Sequence, residues 1–232
     1  MKLFYSPIHD FAHKTLIVAW EANILSQITL VPVYPFRDGF DITAINPLNK
    51  VPTLVTEDQA SIYGSQAIAE YLDSLAPGGQ NLYPQSGAIR WDALRRLALA
   101  DTLFEMVTQL VTDHNYGDVE RPLFVDWLWP KVLNTVAQMN LDAKVHRSFD
   151  IGDAAQIHAL TYLDLCIPEH GPQQIDPSYN WRSGNPLLKS WFDVIVKRES
   201  VQYHYRRPYE GLDTAANCQA HVNEVLVARD AR

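Results

Sequence analysis

Cysteine is scarce in this chain. The two cysteines among its 232 residues, Cys166 and Cys218, form neither a CxxC pair nor a metal-ligand spacing, which argues against a redox motif or a cysteine-based metal site. We predict structural thiols in a reducing cytoplasm rather than a disulfide, because disulfides are rare in that compartment. The sequence predicts no metal site.

Runs of basic residues and long apolar stretches are also missing. The longest basic run is Arg206-Arg207 and the formal net charge is −8, which argues against a nucleic-acid or anionic-membrane surface. No apolar stretch reaches the length of a membrane span, and the N-terminal MKLFYSPIHDF is too short and polar for a secretory signal. With 47% apolar and 20% charged residues, the composition is typical of a soluble globular protein.

The most informative stretch begins at Asn46 and reads NPLNKVPTLV. Thr53 to Val55 is a short run with two β-branched residues, and a turn leads from it to a second strand at 60–63. Pro52 stands at the start of the first strand, where a proline is tolerated and where a fold can fix the bond in cis at modest cost. A cis bond would leave the amide and carbonyl of Val51 free for a peptide-like ligand.

The same stretch continues with GSQAIAEYLDSL, whose apolar residues have helical spacing. Ser65 stands at the position of a helix N-cap. The backbone donors and the positive dipole end beside it favour a carboxylate. The two halves of the stretch together predict a small ligand that carries both a peptide group and a carboxylate.

These two motifs resemble the thioredoxin-like domain of cytosolic glutathione transferases. The consensus of that domain is N-P-x-G-K-V-P-x-L followed by [EQ]-S-x-A-I-x-x-Y-L. Asn49 replaces the usual glycine, and Gly64 replaces the usual acidic or amide residue. The resemblance extends along the chain. Asp150 and Asp153 form a capping-box variant at a helix start, and the segment from Asn185 resembles the closing P-x-L-x-x-W-x-x-x-x-x-x-R-x-S motif.

The resemblance implies an α/β N-terminal thioredoxin-like domain followed by an all-α helical-bundle C-terminal domain. We expect the first domain at 1–77, a Gly- and Pro-containing linker at 78–88 and the helical domain at 89–232. Pro32 places its strand at an edge or an irregularity of the sheet. Pro130 predicts a kink or a break in a helix of the second domain. The segment from Asn185 to Val201 predicts a single closing helix.

Glutathione is the co-substrate that the resemblance implies. The backbone of Val51, across cis Pro52, would pair with the cysteinyl part, and Ser65 with the amide at its helix start would bind the γ-glutamyl carboxylate. Lys50 would reach the glycyl carboxylate; otherwise it is a solvated loop charge, as Ser65 is otherwise a helix cap. Gly64 lacks a side chain that normally helps to hold the γ-glutamyl end.

Three residues at the end of the first strand and in the segment that follows it are candidates for stabilising the glutathione thiolate, which is the nucleophile in this chemistry. Tyr5 aligns with the catalytic tyrosine of the tyrosine-type classes, and His9 lies where many bacterial members carry a catalytic serine. Ser6 is the third candidate. Asp10 replaces the cysteine of another bacterial class and would repel a thiolate. In the alternative interpretation, Tyr5 is a core aromatic residue, Ser6 a turn residue and His9 a solvated side chain.

The function that follows is a glutathione S-transferase-like enzyme that activates the thiol for attack on a hydrophobic electrophile. The family implies a cytoplasmic homodimer in detoxification. Two alternatives stay open: glutathione-dependent dehalogenase, lyase or reductase chemistry, and a non-catalytic glutathione-binding or scaffold protein with the same fold. The electrophile pocket is expected between the two domains, lined by the first long helix of the helical domain, which carries Phe104, Val107, Thr108, His114 and Tyr116.

Overall fold

The structure is a computed structural model that describes residues 1–6, 11–33, 39–78, 82–117, 121–143 and 148–204. The described residues form two compact units. The first contains residues 1–85 together with the last described helix, and the second contains residues 86–198. Among the helices of these ranges, none has the length and apolar character that crossing a membrane requires.

The first unit is built on a four-stranded mixed sheet. Its elements are β1 (Lys2–Tyr5), α1 (Ala12–Glu21), a 3-10 turn (Leu25–Gln27), β2 (Thr29–Pro32), β3 (Thr53–Val55), β4 (Ser61–Tyr63) and α2 (Ser65–Ser74). The strand order is β2-β1-β3-β4, with β1 parallel to β2 and antiparallel to β3, and β3 antiparallel to β4. This order confirms the thioredoxin-like domain. Pro32 lies in the edge strand β2, as predicted.

Alternating and helical apolar patterns form the core of this unit. Leu3 and Tyr5 are buried on one face of β1, and the residues of α1 from 12 to 20 are all buried. Helix α2 packs against α1. The buried carboxylate of Asp73 near its end accepts the backbone N–H groups of Leu82 and Tyr83 at 2.8 and 2.9 Å. Burial raises the pKa of Asp73, and the two hydrogen bonds oppose that rise.

The second unit is entirely helical in its described part, which confirms the predicted helical domain. Its helices are α3 (Gly87–Tyr116), α4 (Pro122–Asp142), α5 (Ile151–His170) and α6 (Pro186–Ile195). Helix α5 is buried along most of its length and packs against α3. Helix α4 continues past Pro130, so the helix is not broken there. Buried Val125, Leu128, Val132 and Val136 hold it on both sides of the exposed proline.

The predicted capping box at the start of α5 is confirmed. Asp150 accepts the N–H groups of Gly152 and Asp153 through its side chain, and the side chain of Asp153 accepts the N–H of Asp150. The guanidinium of Arg96, only 1% exposed, pairs with Asp150, Asp153 and Asp92. This cluster gives the buried charge of Arg96 three carboxylate partners, which a charge in the interior needs.

The single closing helix predicted at the end of the described chain is wrong. Helix α6 ends at Ile195, a turn follows, and a short helix α7 (Glu199–His204) begins after it. Helix α7 belongs to the first unit and packs on α1, where the hydroxyl of Ser200 donates to the carboxylate of Glu21. The two helices bury their apolar residues in different units, and the turn separates them.

Candidate functional site

The sheet brings the predicted binding residues to one end of the first unit. Phe4 pairs with Thr53, and Thr53 pairs with Tyr63, both in antiparallel register. In antiparallel strands, the residues that follow one partner emerge beside those that precede the other. The segments Tyr5–Ser6, 51–52 and 64–65 therefore meet at the same end of the sheet.

Val51 and Pro52 form the centre of this end. The peptide bond between them is cis, as predicted. Pro52 is buried and Val51 is half-buried. Among the described residues, the N–H and the carbonyl of Val51 take part in no hydrogen bond. A backbone donor and acceptor at a partly exposed position are suited to a ligand that carries a peptide group.

The loop before Pro52 is held by a buried network that the sequence did not reveal. The side-chain amide of Asn46 donates to the carbonyl of Lys50 and to the hydroxyl of Thr53, both at 2.9 Å. The hydroxyl of Thr53 donates in turn to the carbonyl of Lys50 at 2.8 Å. The side-chain oxygen of Asn46 accepts the N–H of Leu48 at 2.9 Å. Only the fold brings these groups together, although Asn46 and Thr53 lie in the recognised motif.

Asn49 stands where the family consensus has a glycine, and its conformation explains why asparagine is tolerated there. Its φ is +50°, in the left-handed region that favours glycine and that asparagine tolerates better than most residues. Its side-chain oxygen accepts the N–H of Ile42 at 2.9 Å. Asparagine therefore keeps the backbone conformation of a glycine and adds a bond that glycine does not offer.

The predicted N-cap at Ser65 is wrong by one residue. Gly64 is the N-cap of α2, with φ of +87°, and Ser65 is the first residue of the helix. The turn from β4 into α2 needs a positive φ immediately before the helix, which glycine adopts without steric cost. Because glycine has no side chain, no side-chain cap is present.

The start of α2 keeps its hydrogen-bonding capacity. The hydroxyl of Ser65 and the N–H groups of residues 65–67 make no hydrogen bond within the described residues. Ser65 is 9% exposed, and no acidic residue lies in the first turn. Unpaired amides at a positive dipole end, beside an uncommitted hydroxyl, are suited to a carboxylate.

The remaining predicted residues have different surroundings. Lys50 is exposed, as a residue that reaches a ligand from a loop would be. Tyr5 is 0% exposed and its hydroxyl oxygen is buried, while Ser6 is also buried. His9 lies outside the described residues, as does Asp10.

A second feature lies within the helical unit. A cleft of about 450 Å³ at the junction of α3 and α4 is lined by residues that include Thr108, Thr112, Asp113, Tyr116, Arg121 and Phe124. Its size is in the range of small-molecule sites. Thr108 and Tyr116 are two of the residues expected beside a pocket. Phe104 and Val107 are buried instead, and the ring of Phe104 packs on His158 and Tyr162 with centroids 4.6 and 4.4 Å apart.

Comparison with known proteins finds similarity to glutathione transferases. A family model described as the N-terminal domain of glutathione S-transferase matches residues 10–75. No curated protein matches the chain. A glutathione S-transferase from Methylobacillus flagellatus, solved with glutathione bound, is 28% identical, with 88% of this chain and 98% of that chain covered and a TM-score of 0.76.

Two further solved structures extend the comparison. A glutathione transferase family member from Pseudomonas fluorescens Pf-5, with bound glutathione, is 25% identical over 87% of this chain and 96% of that chain, with a TM-score of 0.75. Leishmania TDR1, a trimeric glutathione transferase, is 21% identical over 97% of this chain and 47% of that chain, with a TM-score of 0.70. The last likeness is one of fold alone.

Proposed function

We propose that the chain, which is similar to glutathione transferases in sequence and fold, binds glutathione and activates its thiol for attack on a hydrophobic electrophile. The observation that carries the proposal is the convergence of Val51 and Ser65 at one end of the sheet. One offers a backbone donor and acceptor, and the other a helix start with open donors. Glutathione bound in two of the similar structures supports this choice of ligand.

Each end of glutathione has a matching group in the proposed site. The Val51 backbone pairs with the cysteinyl residue, and Ser65 with the first-turn amides binds the γ-glutamyl carboxylate. The ammonium of exposed Lys50 reaches the glycyl carboxylate. Gly64 supplies the positive φ that the helix start requires, and Pro52 shapes the segment that carries Val51.

The thiolate needs a hydrogen-bond donor, because hydrogen bonding to the charged form lowers the pKa of a thiol. Tyr5, Ser6 and His9 are our candidates. The burial of the Tyr5 hydroxyl favours a packing role for that residue. The three roles are separated by comparing the turnover of Tyr5→Phe, Ser6→Ala and His9→Ala with that of the wild type.

A second function is favoured by the same burial. If none of Tyr5, Ser6 and His9 reaches the thiol, the chain is a glutathione-binding protein without catalysis. Glutathione binding with no acceleration of thiol conjugation to any of a panel of electrophiles would support this function over the enzyme. The cleft that contains Tyr116 and Phe124 is our candidate for an electrophile-binding surface. Assembly as a homodimer, a cytoplasmic location and a detoxifying role are proposed from the family resemblance.

The decisive experiment is a calorimetric titration of the wild type and of Ser65→Ala with glutathione. A hydrogen bond to a charged group contributes about 1.5–3 kcal/mol, so we expect Ser65→Ala to weaken binding by roughly tenfold or more. Ser74→Ala is the matched control, because Ser74 lies in the last turn of the same helix and donates to the carbonyl of Tyr71. Absence of binding to the wild type at millimolar glutathione would refute the proposal.

A further inference from the structure

Asn46 and Thr53 lie behind the proposed glutathione site rather than in it. Both are almost fully buried, and Asn46 is 1% exposed. Their side chains direct three hydrogen bonds inward, and two of these end on one atom, the carbonyl oxygen of Lys50. A carbonyl oxygen has two lone pairs, so this acceptor is fully used.

The orientation of that carbonyl fixes the neighbouring donor. The carbonyl of Lys50 and the N–H of Val51 belong to one planar peptide unit, which is trans. In a trans peptide the two groups point in opposite directions. Since the carbonyl of Lys50 points inward to Asn46 and Thr53, the N–H of Val51 points outward, where no acceptor lies among the described residues.

We propose that Asn46 and Thr53 are positioning residues that aim the N–H of Val51 at the peptide carbonyl of the bound ligand. The inference rests on the proposed function, since it concerns the ligand of the same site. Without the two bonds to the Lys50 carbonyl, the peptide plane rotates more freely, and the ligand must restrict that rotation when it binds. Preorganised donors strengthen binding by removing this cost.

The bond from Asn49 to Ile42 makes a second tie in the same loop, and it gives a contrast. It holds the loop to residues before it but does not touch the Lys50 carbonyl. Asn49→Gly removes this tie and retains a residue suited to the positive φ. If the peptide plane is what matters, this variant changes glutathione affinity less than a change at Thr53.

The test compares Thr53→Val with Thr53→Ser. Valine has nearly the shape of threonine but no hydroxyl, whereas serine retains the hydroxyl. We expect Thr53→Val to raise the Kd of glutathione about fivefold, within the range for one hydrogen bond, and Thr53→Ser to restore binding to within about twofold of the wild type. If the wild type catalyses conjugation, we expect Thr53→Val to raise KM for glutathione and to leave kcat at saturating glutathione unchanged. The lost interaction stabilises the ground state and the transition state equally.

Thr161→Val is the matched control for a purely structural effect. Thr161 is also a buried threonine, and its hydroxyl donates to the carbonyl of Ile157 at 2.7 Å in the helical unit. We expect a comparable loss of stability and an unchanged Kd for glutathione.

The possible failures are distinguishable. If the wild type binds no glutathione, the proposed function fails and this inference fails with it. If the wild type and Thr53→Val bind equally well while Ser65→Ala binds weakly, the positioning role alone is overturned. An equal loss of affinity in Thr53→Ser, or in Thr161→Val, would also overturn it.

Discussion

At the scale of single residues, Gly64 is in a backbone conformation that other residues rarely adopt. Its φ is +87°, while the space where a Cβ would lie is open. We expect Gly64→Ala to lower the free energy of unfolding by about 1–2 kcal/mol through backbone strain, as measured by chemical denaturation. Gly64→Gln carries the same strain but adds an amide side chain of the type usual in the family. We expect it to bind glutathione more tightly than Gly64→Ala does, as measured by calorimetry.

Gly78 provides the matched control for this prediction. It also has a positive φ, +86°, with open space where a Cβ would lie, and it follows the other end of α2. Gly78→Ala is expected to cost similar stability and to leave glutathione affinity unchanged. Equal affinities of Gly64→Gln and Gly64→Ala would show that a side chain at this position does not reach the ligand.

The sequence reveals single residues where the chemistry is local. Pro52 at a strand start and the serine at a helix start were both recognised from adjacent residues. The position of the cap was not, because it depends on the backbone angle at Gly64, which the turn from β4 imposes. Asn46 was not identified either, since its partners Lys50 and Thr53 come within hydrogen-bonding distance only when the loop folds.

At the scale of elements, the close packing of α3 against the start of α5 favours glycine at position 152, although alanine has the higher helix propensity. A Cβ at Gly152 would lie 2.6 Å from Nη1 of Arg96 and 3.0 Å from the carbonyl oxygen of Ala93. Alanine favours a helix over glycine by about 1 kcal/mol, whereas overpacking typically costs about 1–3 kcal/mol. Arg96 cannot easily move, because three carboxylates hold it. We therefore expect Gly152→Ala to lower the thermal midpoint, as measured by calorimetry.

An exposed helical position serves as the control that measures helix propensity alone. Ala137 lies on the exposed side of α4, so Ala137→Gly measures the glycine-to-alanine difference without a steric contribution. A higher midpoint for Gly152→Ala than for the wild type would contradict the prediction, since it would mean that α3 and α5 separate without cost.

Helices and their ends are also predictable from the sequence only where their determinants are local. The capping box at Asp150 was predicted correctly, because its two partners are three residues apart. The break between α6 and α7 was missed, since the sequence from Asn185 to Val201 is helical in pattern and only the packing of Val201 on the first unit requires a turn. Helix α4 passes Pro130 for a comparable reason, as tertiary contacts on both sides outweigh a local breaker.

At the scale of the whole molecule, the chain contributes to the first unit from two distant segments. Helix α7 lies within the range 89–232 that the sequence assigned to the helical domain, yet it packs on α1 of the first unit. The chain thus leaves the first unit, forms the second, and returns. Bringing two segments together that are separated by residues 86–198 costs conformational entropy. The contacts of α7 with α1 must offset that cost for α7 to remain packed on α1.

Val201 tests how far the two units open independently. It is 0% exposed in α7, and Val201→Ala is expected to lower stability by roughly 1–3 kcal/mol through loss of packing. We expect faster hydrogen exchange at the amides of α1, and unchanged exchange in α5, since cooperative units open separately. Val194→Ala, at an exposed position of α6, is the control and should change neither. Equal acceleration in α1 and α5 would mean instead that the two units unfold as one cooperative body.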